Sequence, residues 1–108
     1  MKLRRVVITG MGALTPIGNG LEQYWKGLEE GKSGAAPITH FDTEHFKTKF
    51  ACELKDFNVE DYMDRREARR MDPFTQYAMI SAQEAVEHSG LDLDKINKDR
   101  AGVIWGSG

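Results

Sequence analysis

Arg4-Arg-Val-Val-Ile-Thr9, closed at once by Gly10-Met11-Gly12, sets β-branched residues in a short unbroken run bounded by glycine. Such a run lacks the polar–apolar alternation of a half-solvated strand and fits a strand buried on both faces. A core strand is therefore expected at the start of the chain. A second run of the same kind, Ala101-Gly-Val-Ile-Trp105, stands near the other end and passes into Gly106, Ser107 and Gly108. These two segments decide the fold class, and the residues between them are read outward from the first.

Met11 to Asn19, with Gly12, Pro16 and Gly18, is expected to be an irregular loop. Asn19 is an N-cap residue type, with Glu22 three positions on in the capping-box place. Leu21, Tyr24, Trp25 and Leu28 then follow at i, i+3, i+4 and i+7, the buried stripe of an expected helix, and Gly31 stands where a C-terminal glycine cap belongs. Lys32 to Phe57 shows no sustained period and is expected to be mostly loop, with a short strand near Lys49 to Leu54. A loop of that length in one domain suggests a segment that packs on a larger body. Val59 to Arg70 is charged and helix-compatible. Asp72-Pro73 reads as the N-cap and first position of a further helix that ends at Gly90. Its face of Phe74, Tyr77, Ala78, Ser81, Ala82, Ala85 and Val86 is rich in small residues and implies close approach to another helix or subunit. The order strand, helix, long loop, helix, strand predicts an α/β layered fold with helices on a sheet. Two strands do not make a stable sheet, so the domain is expected to be incomplete as it stands.

Composition narrows the function classes. The 108 residues are 40% apolar and 30% charged, enough for one domain or part of one. No apolar run approaches the roughly 18 residues of a membrane span, and Val6-Val7-Ile8 is too short for a signal-peptide core. The single cysteine, Cys52, has no partner for an internal disulfide, and a cytoplasmic protein is expected. A net charge of −2 gives no global attraction to nucleic acid, so an electrostatic partner must be met by a local patch.

Gly10-Met11-Gly12 after a strand invites comparison with a dinucleotide-binding loop, but the third glycine of that fingerprint falls on Thr15 and the helix starts too late; a structural turn is favoured. His40, His45, His88 and Cys52 lack metal-ligand spacing. His88 suits the C-terminal end of a helix dipole, and Cys52, with no base beside it, reads as a small buried apolar residue. Arg65, Arg66, Arg69 and Arg70 fall at i, i+1, i+4 and i+5 of an expected helix and so share one side of it. Their fork-shaped donors suit phosphate or carboxylate groups on a partner. Asp61, Asp64, Glu67 and Asp72 are interleaved with them and allow the other reading, a solvated face of ordinary ion pairs, which pattern alone favours.

Four stretches, in order, resemble the condensing enzymes of fatty acid synthesis, the β-ketoacyl-acyl-carrier-protein synthases, and type II synthases most of all. They are Arg5-Val-Val-Ile-Thr-Gly-Met-Gly-Ala-Leu-Thr-Pro-Ile-Gly18, Gly34-Ala-Ala-Pro-Ile-Thr-His-Phe-Asp42, Arg65-Arg-Glu-Ala-Arg-Arg-Met-Asp-Pro-Phe-Thr-Gln-Tyr-Ala78 and Gly102-Val-Ile-Trp-Gly-Ser-Gly108. The resemblance implies that residues 1–108 are the N-terminal part of a thiolase-like fold, in a family that is usually homodimeric. It implies an acyltransferase that condenses an acyl chain with malonyl-acyl-carrier protein and needs no cofactor or metal.

In that family a cysteine at a helix N-terminus carries the acyl group, assisted by histidines and a lysine. The motifs around Cys52, His40, His45 and His88 do not match theirs, so no catalytic residue is expected in this chain. Arg66, Arg69 and Arg70 match positions that present positive charge to acyl carrier protein, Arg65 more weakly, and the resemblance raises docking above the solvated face. Gly106, Ser107 and Gly108 look like the start of a loop leading to the acyl pocket. The chain by itself is then expected to be inactive, with an exposed apolar face from Phe74 to Val86 that drives self-association. The alternative is a self-sufficient, non-catalytic module that binds acyl carrier protein, which would need an independent core.

Overall fold

The structure is a computed structural model and describes residues 1–107. The chain runs through β1 (Leu14–Thr15), β2 (Gly18–Asn19), α1 (Leu21–Glu29), β3 (Ala36–Pro37), β4 (Phe50–Ala51), α2 (Arg65–Ala68) and α3 (Pro73–Ser89). Single 3-10 turns stand at Val59–Asp61 and Lys98–Arg100. It is a mixed helix and strand arrangement, consistent with an incomplete α/β fold.

Pro16 and Ile17 form the two-residue link of an antiparallel hairpin in which Leu14 faces Asn19 and Thr15 faces Gly18. Thr15 holds the turn: its hydroxyl donates to the Gly18 carbonyl at 3.1 Å and accepts from the Ile17 N–H at 3.3 Å. α1 follows directly, but its cap position is Gly20, at φ 110°, and not Asn19 as the sequence suggested. The first helical N–H, that of Leu21, donates to Glu84 of α3 at 2.7 Å. Gln23, one residue past the expected Glu22, reaches back to accept from the Asn19 N–H at 3.2 Å. The cap is thus supplied across space, which neighbour-to-neighbour spacing does not reveal.

The C-terminal end of α1 follows expectation. Gly31 is left-handed at φ 63°, its N–H donates to Leu28, and the Lys32 N–H donates to Gly27 at 2.9 Å, the paired bonds of a Schellman end. Trp25 and Leu28 of the expected buried stripe are instead exposed, and the residue α1 buries is Gly27. A methyl on Gly27 would lie 2.8 Å from the Ile17 carbonyl, so glycine lets the helix sit on the hairpin turn.

The long connection from Lys32 is a second antiparallel hairpin. Ala36 pairs with Ala51 and Pro37 with Phe50, so the strand expected near Lys49 to Leu54 is shorter and lies at its start. The charged, helix-compatible run from Val59 to Arg70 forms two short helical pieces. Asn58 caps the first turn through its side chain, and Asp64 caps α2 in the same way, its Oδ1 accepting from Arg66 N–H at 2.8 Å. Asp and Asn compete with helix propagation by such local bonds, so Asp64 starts a new helix within the run.

Asp72 and Pro73 open α3 as predicted, though the Asp72 side chain makes no capping bond, and Gly90 ends it at φ 65°. Gln76 reaches back from α3 to the Ala68 carbonyl at 2.8 Å and ties the C-terminal end of α2 to it.

The expected strands at Arg4–Thr9 and Ala101–Trp105 are not formed. Val6, Val7 and Ile8 are exposed, as are Val103 and Ile104, and neither segment pairs. Their β-branched runs suit a sheet interior, and among the described residues no neighbouring strand provides one. Gly108, part of the expected exit loop, lies outside the described residues. The apolar residues buried among those described are Ala68, Ala78 and Ile80. The radius of gyration, 17.3 Å, exceeds the roughly 13 Å of a compact domain of this length.

Candidate functional site

The basic segment is carried by α2 and the turn after it. Ala68 faces inward at 4% exposure, and this orientation leaves Arg65, Arg66, Arg69 and Arg70 in solvent. Arg65 and Arg66 lie in the helix, Arg69 is its C-cap, and Arg70 sits in the turn, where its N–H donates to Glu67. The arginines therefore follow a short helix and its exit, where their spacing led one to expect all four on one side of a helix.

Their pairing is uneven. Arg65 Nε stands 3.3 Å from Glu60 Oε1. Among the described residues no carboxylate lies within 4.0 Å of the guanidinium nitrogens of Arg66, Arg69 or Arg70. Asp64 is occupied at the start of α2, and Asp61, Glu67 and Asp72 form no ion pair with the arginines. The solvated face of mutually neutralising charges is thus realised at one arginine of the four.

The other candidate residues are dispersed. Cys52 is exposed beyond β4, which corrects its expected burial: β4 has a partner on one edge only, and among the described residues nothing covers that side chain. His40 lies with Nε2 3.7 Å from Glu53 Oε1, and His45 is exposed on the hairpin loop. His88 accepts the Met11 N–H at 3.0 Å through Nδ1. Among the described residues no three His, Cys, Asp or Glu side chains group as metal ligands.

Polar hubs that the sequence did not disclose hold the segments together. Glu84 accepts from Ala13 N–H at 2.8 Å and Leu21 N–H at 2.7 Å and joins hairpin, α1 and α3. Its place among the small residues of α3 was the one available signal. The Lys55 ammonium donates to the carbonyls of Gly34 (2.6 Å), Glu53 (3.2 Å) and Pro16 (3.3 Å). Glu53 accepts from the Thr39 hydroxyl at 2.9 Å and from the Thr39 and His40 N–H groups. Burial acts to raise its carboxyl pKa, but these hydrogen bonds and the neighbouring His40 outweigh it and hold the pKa below the usual 4.5.

An open apolar groove of about 710 Å³ runs beside α3, bordered by Tyr24, Phe74, Tyr77, Val86, Val103 and Trp105. Gly12 lies within it, so close to the α3 backbone at Ser81 that a Cβ would clash. This is the face that the small residues of α3 led one to expect. No described helix is long and apolar enough to cross a membrane.

Residues 3–108 match the family described as Beta-ketoacyl synthase, N-terminal domain. The chain is 52% identical over 105 residues to the 3-oxoacyl-[acyl-carrier-protein] synthase 2 of Staphylococcus aureus (strain COL), covering 97% of this chain and 25% of that protein. It is 48% identical over 108 residues to the synthase of the same name from Vibrio harveyi, covering 100% of this chain and 26% of the relative. The chain thus spans about a quarter of the length of these relatives. Among solved structures, the ishigamide ketosynthase/chain length factor superposes with a TM-score of 0.77 at 44% identity, over 86% of this chain and 23% of that one. A type II PKS ketosynthase in complex with its acyl-carrier protein superposes at 0.60 and 24% identity, over 84% of this chain and 23% of that one, and agrees in fold. The chain belongs to the β-ketoacyl synthase family, and what it represents of that family is the N-terminal domain sequence.

Proposed function

We propose that the protein carrying this segment is a fatty-acid condensing enzyme that elongates an acyl chain by decarboxylative condensation with malonyl-acyl-carrier protein. Residues 1–108 act in it as the N-terminal part of the synthase domain and present the carrier-docking surface through Arg66, Arg69 and Arg70. The observation that carries the docking assignment is the set of three guanidiniums exposed without a carboxylate partner, beside acidic residues that are engaged elsewhere or stand apart. Guanidinium groups left free in this way meet the carboxylates of an acidic helix without first breaking an internal pair. The names of the curated relatives, which specify acyl carrier protein, agree with that partner.

The chemistry itself belongs to residues outside this chain. Cys52 is exposed beyond an edge strand with no base hydrogen-bonded to it, which is not the setting of an acyl-accepting thiolate. The enzyme acts in the cytoplasm as a homodimer and uses no metal or cofactor. A self-sufficient binding module fits less well, because Ala68, Ala78 and Ile80 are too small a core to hold 108 residues together.

Replacing Arg66, Arg69 and Arg70 together by glutamate in the complete enzyme tests the assignment. The apparent KM for acyl-carrier-protein substrate should rise about tenfold or more, and turnover of small thioester analogues should stay within about twofold. Equal losses with both substrates would overturn it.

A further inference from the structure

The one arginine of the cluster that is paired differs from the others in its neighbour, not in its exposure. Arg65 Nε meets Glu60 Oε1 at 3.3 Å, and the two side chains are 65% and 51% exposed. Glu60 stands in the 3-10 turn Val59–Asp61, whose start is fixed by Asn58: its Oδ1 accepts from the Glu60 N–H at 3.1 Å. Phe57 stacks on Tyr62 with ring centroids 5.7 Å apart and meets Tyr77 of α3 edge-on at 5.4 Å, which ties the residues flanking the turn to α3. Arg65, the first residue of α2, is fixed in turn by the Asp64 cap. Both partners of the pair are thus set by capped backbone.

We propose that Glu60 is an internal competitor for the acidic partner: it occupies Arg65 in the free protein, limits the docking surface to Arg66, Arg69 and Arg70, and moderates carrier affinity. The inference rests on the docking assignment above and adds to it a residue that tunes the strength of that contact. A carrier helix that needs Arg65 must displace Glu60, so part of the gain is offset by the pair that is lost. Because the pair is solvent-exposed it is weak, and it moderates affinity without abolishing it. A transient partner that must leave after each transfer is served by such a weakened contact.

The test measures binding of unacylated acyl carrier protein to the complete enzyme by titration calorimetry at low salt, in four backgrounds: wild type, Glu60→Gln, Arg65→Gln and the double variant. Glu60→Gln should tighten binding about two- to fivefold, the range open to an exposed ion pair, and the gain should vanish when Arg65 is already glutamine. An equal gain in the Arg65→Gln background would show a general loss of negative charge and overturn the competitor role. No gain from Glu60→Gln, in an enzyme where reversal of Arg66, Arg69 and Arg70 does weaken binding, would overturn the inference and leave the docking surface standing. If that triple reversal has no effect on binding, the docking assignment itself fails, and the role of Glu60 with it.

Discussion

α3 has two unlike flanks. Along Ile80, Glu84 and His88 it is clasped: Glu84 takes backbone N–H groups from Ala13 and Leu21, and His88 takes that of Met11. Along Phe74, Tyr77 and Val86 it borders an open groove whose apolar walls stay in contact with solvent. Hydrogen bonding is pairwise and short in range, so a few residues of one segment can complete it. Apolar burial needs layers on both sides of an element, and the described residues supply one.

The largest expected effect breaks the clasped flank. Glu84→Ala leaves two backbone donors without their acceptor and should lower stability by about 2–4 kcal/mol in urea titration, with Glu84→Gln between it and the wild type. A cost within about 0.5 kcal/mol would mean that the groove side carries the stability and that the clasp is incidental. Gly31→Ala comes next, at about 1 kcal/mol. The added methyl meets nothing within 4 Å, so the cost is the left-handed backbone alone, and it measures how firmly α1 is held independently of the groove.

The smallest effect concerns Glu53. Its carboxyl pKa is lowered in the folded state, so its contribution is complete above the unfolded value near 4.5 and is lost as pH falls through the folded one. Amide exchange at Thr39 and His40 should therefore lose protection below about pH 4.5 ahead of Ile38, whose N–H donates to the Lys49 carbonyl in the same hairpin. Simultaneous loss at all three amides would mean that the hairpin opens as a whole.

This difference also explains what was legible beforehand. Gly31, Pro73 and Gly90 announced helix ends correctly, because cap geometry is decided within a few residues of itself. Val6-Val7-Ile8 and Val103-Ile104 carried a strand signal that the structure does not realise, because composition predicted a buried environment that the described residues do not contain. The α1 cap was misplaced by one residue because its acceptor, Glu84, is 63 positions away from Leu21. The arginines lie together along α2 and its exit, as their adjacency in sequence requires, but their states of pairing were not readable. Asp64 and Glu60 are equally acidic in sequence, and backbone geometry sends one to an N–H group and the other to a guanidinium.

Lys55 shows that positive charge does two different kinds of work here. Its ammonium has three donors in a tetrahedral arrangement, and three carbonyls from separate stretches of chain take them up. A guanidinium is flat, and its donors point outward in one plane, so Lys55→Arg would conserve charge and still fit those converging carbonyls poorly. The reverse holds on α2, where a planar fork matches a carboxylate side-on and a lysine would offer a point contact. Cation shape, more than charge, distinguishes the residue that ties this segment together from those that face outward.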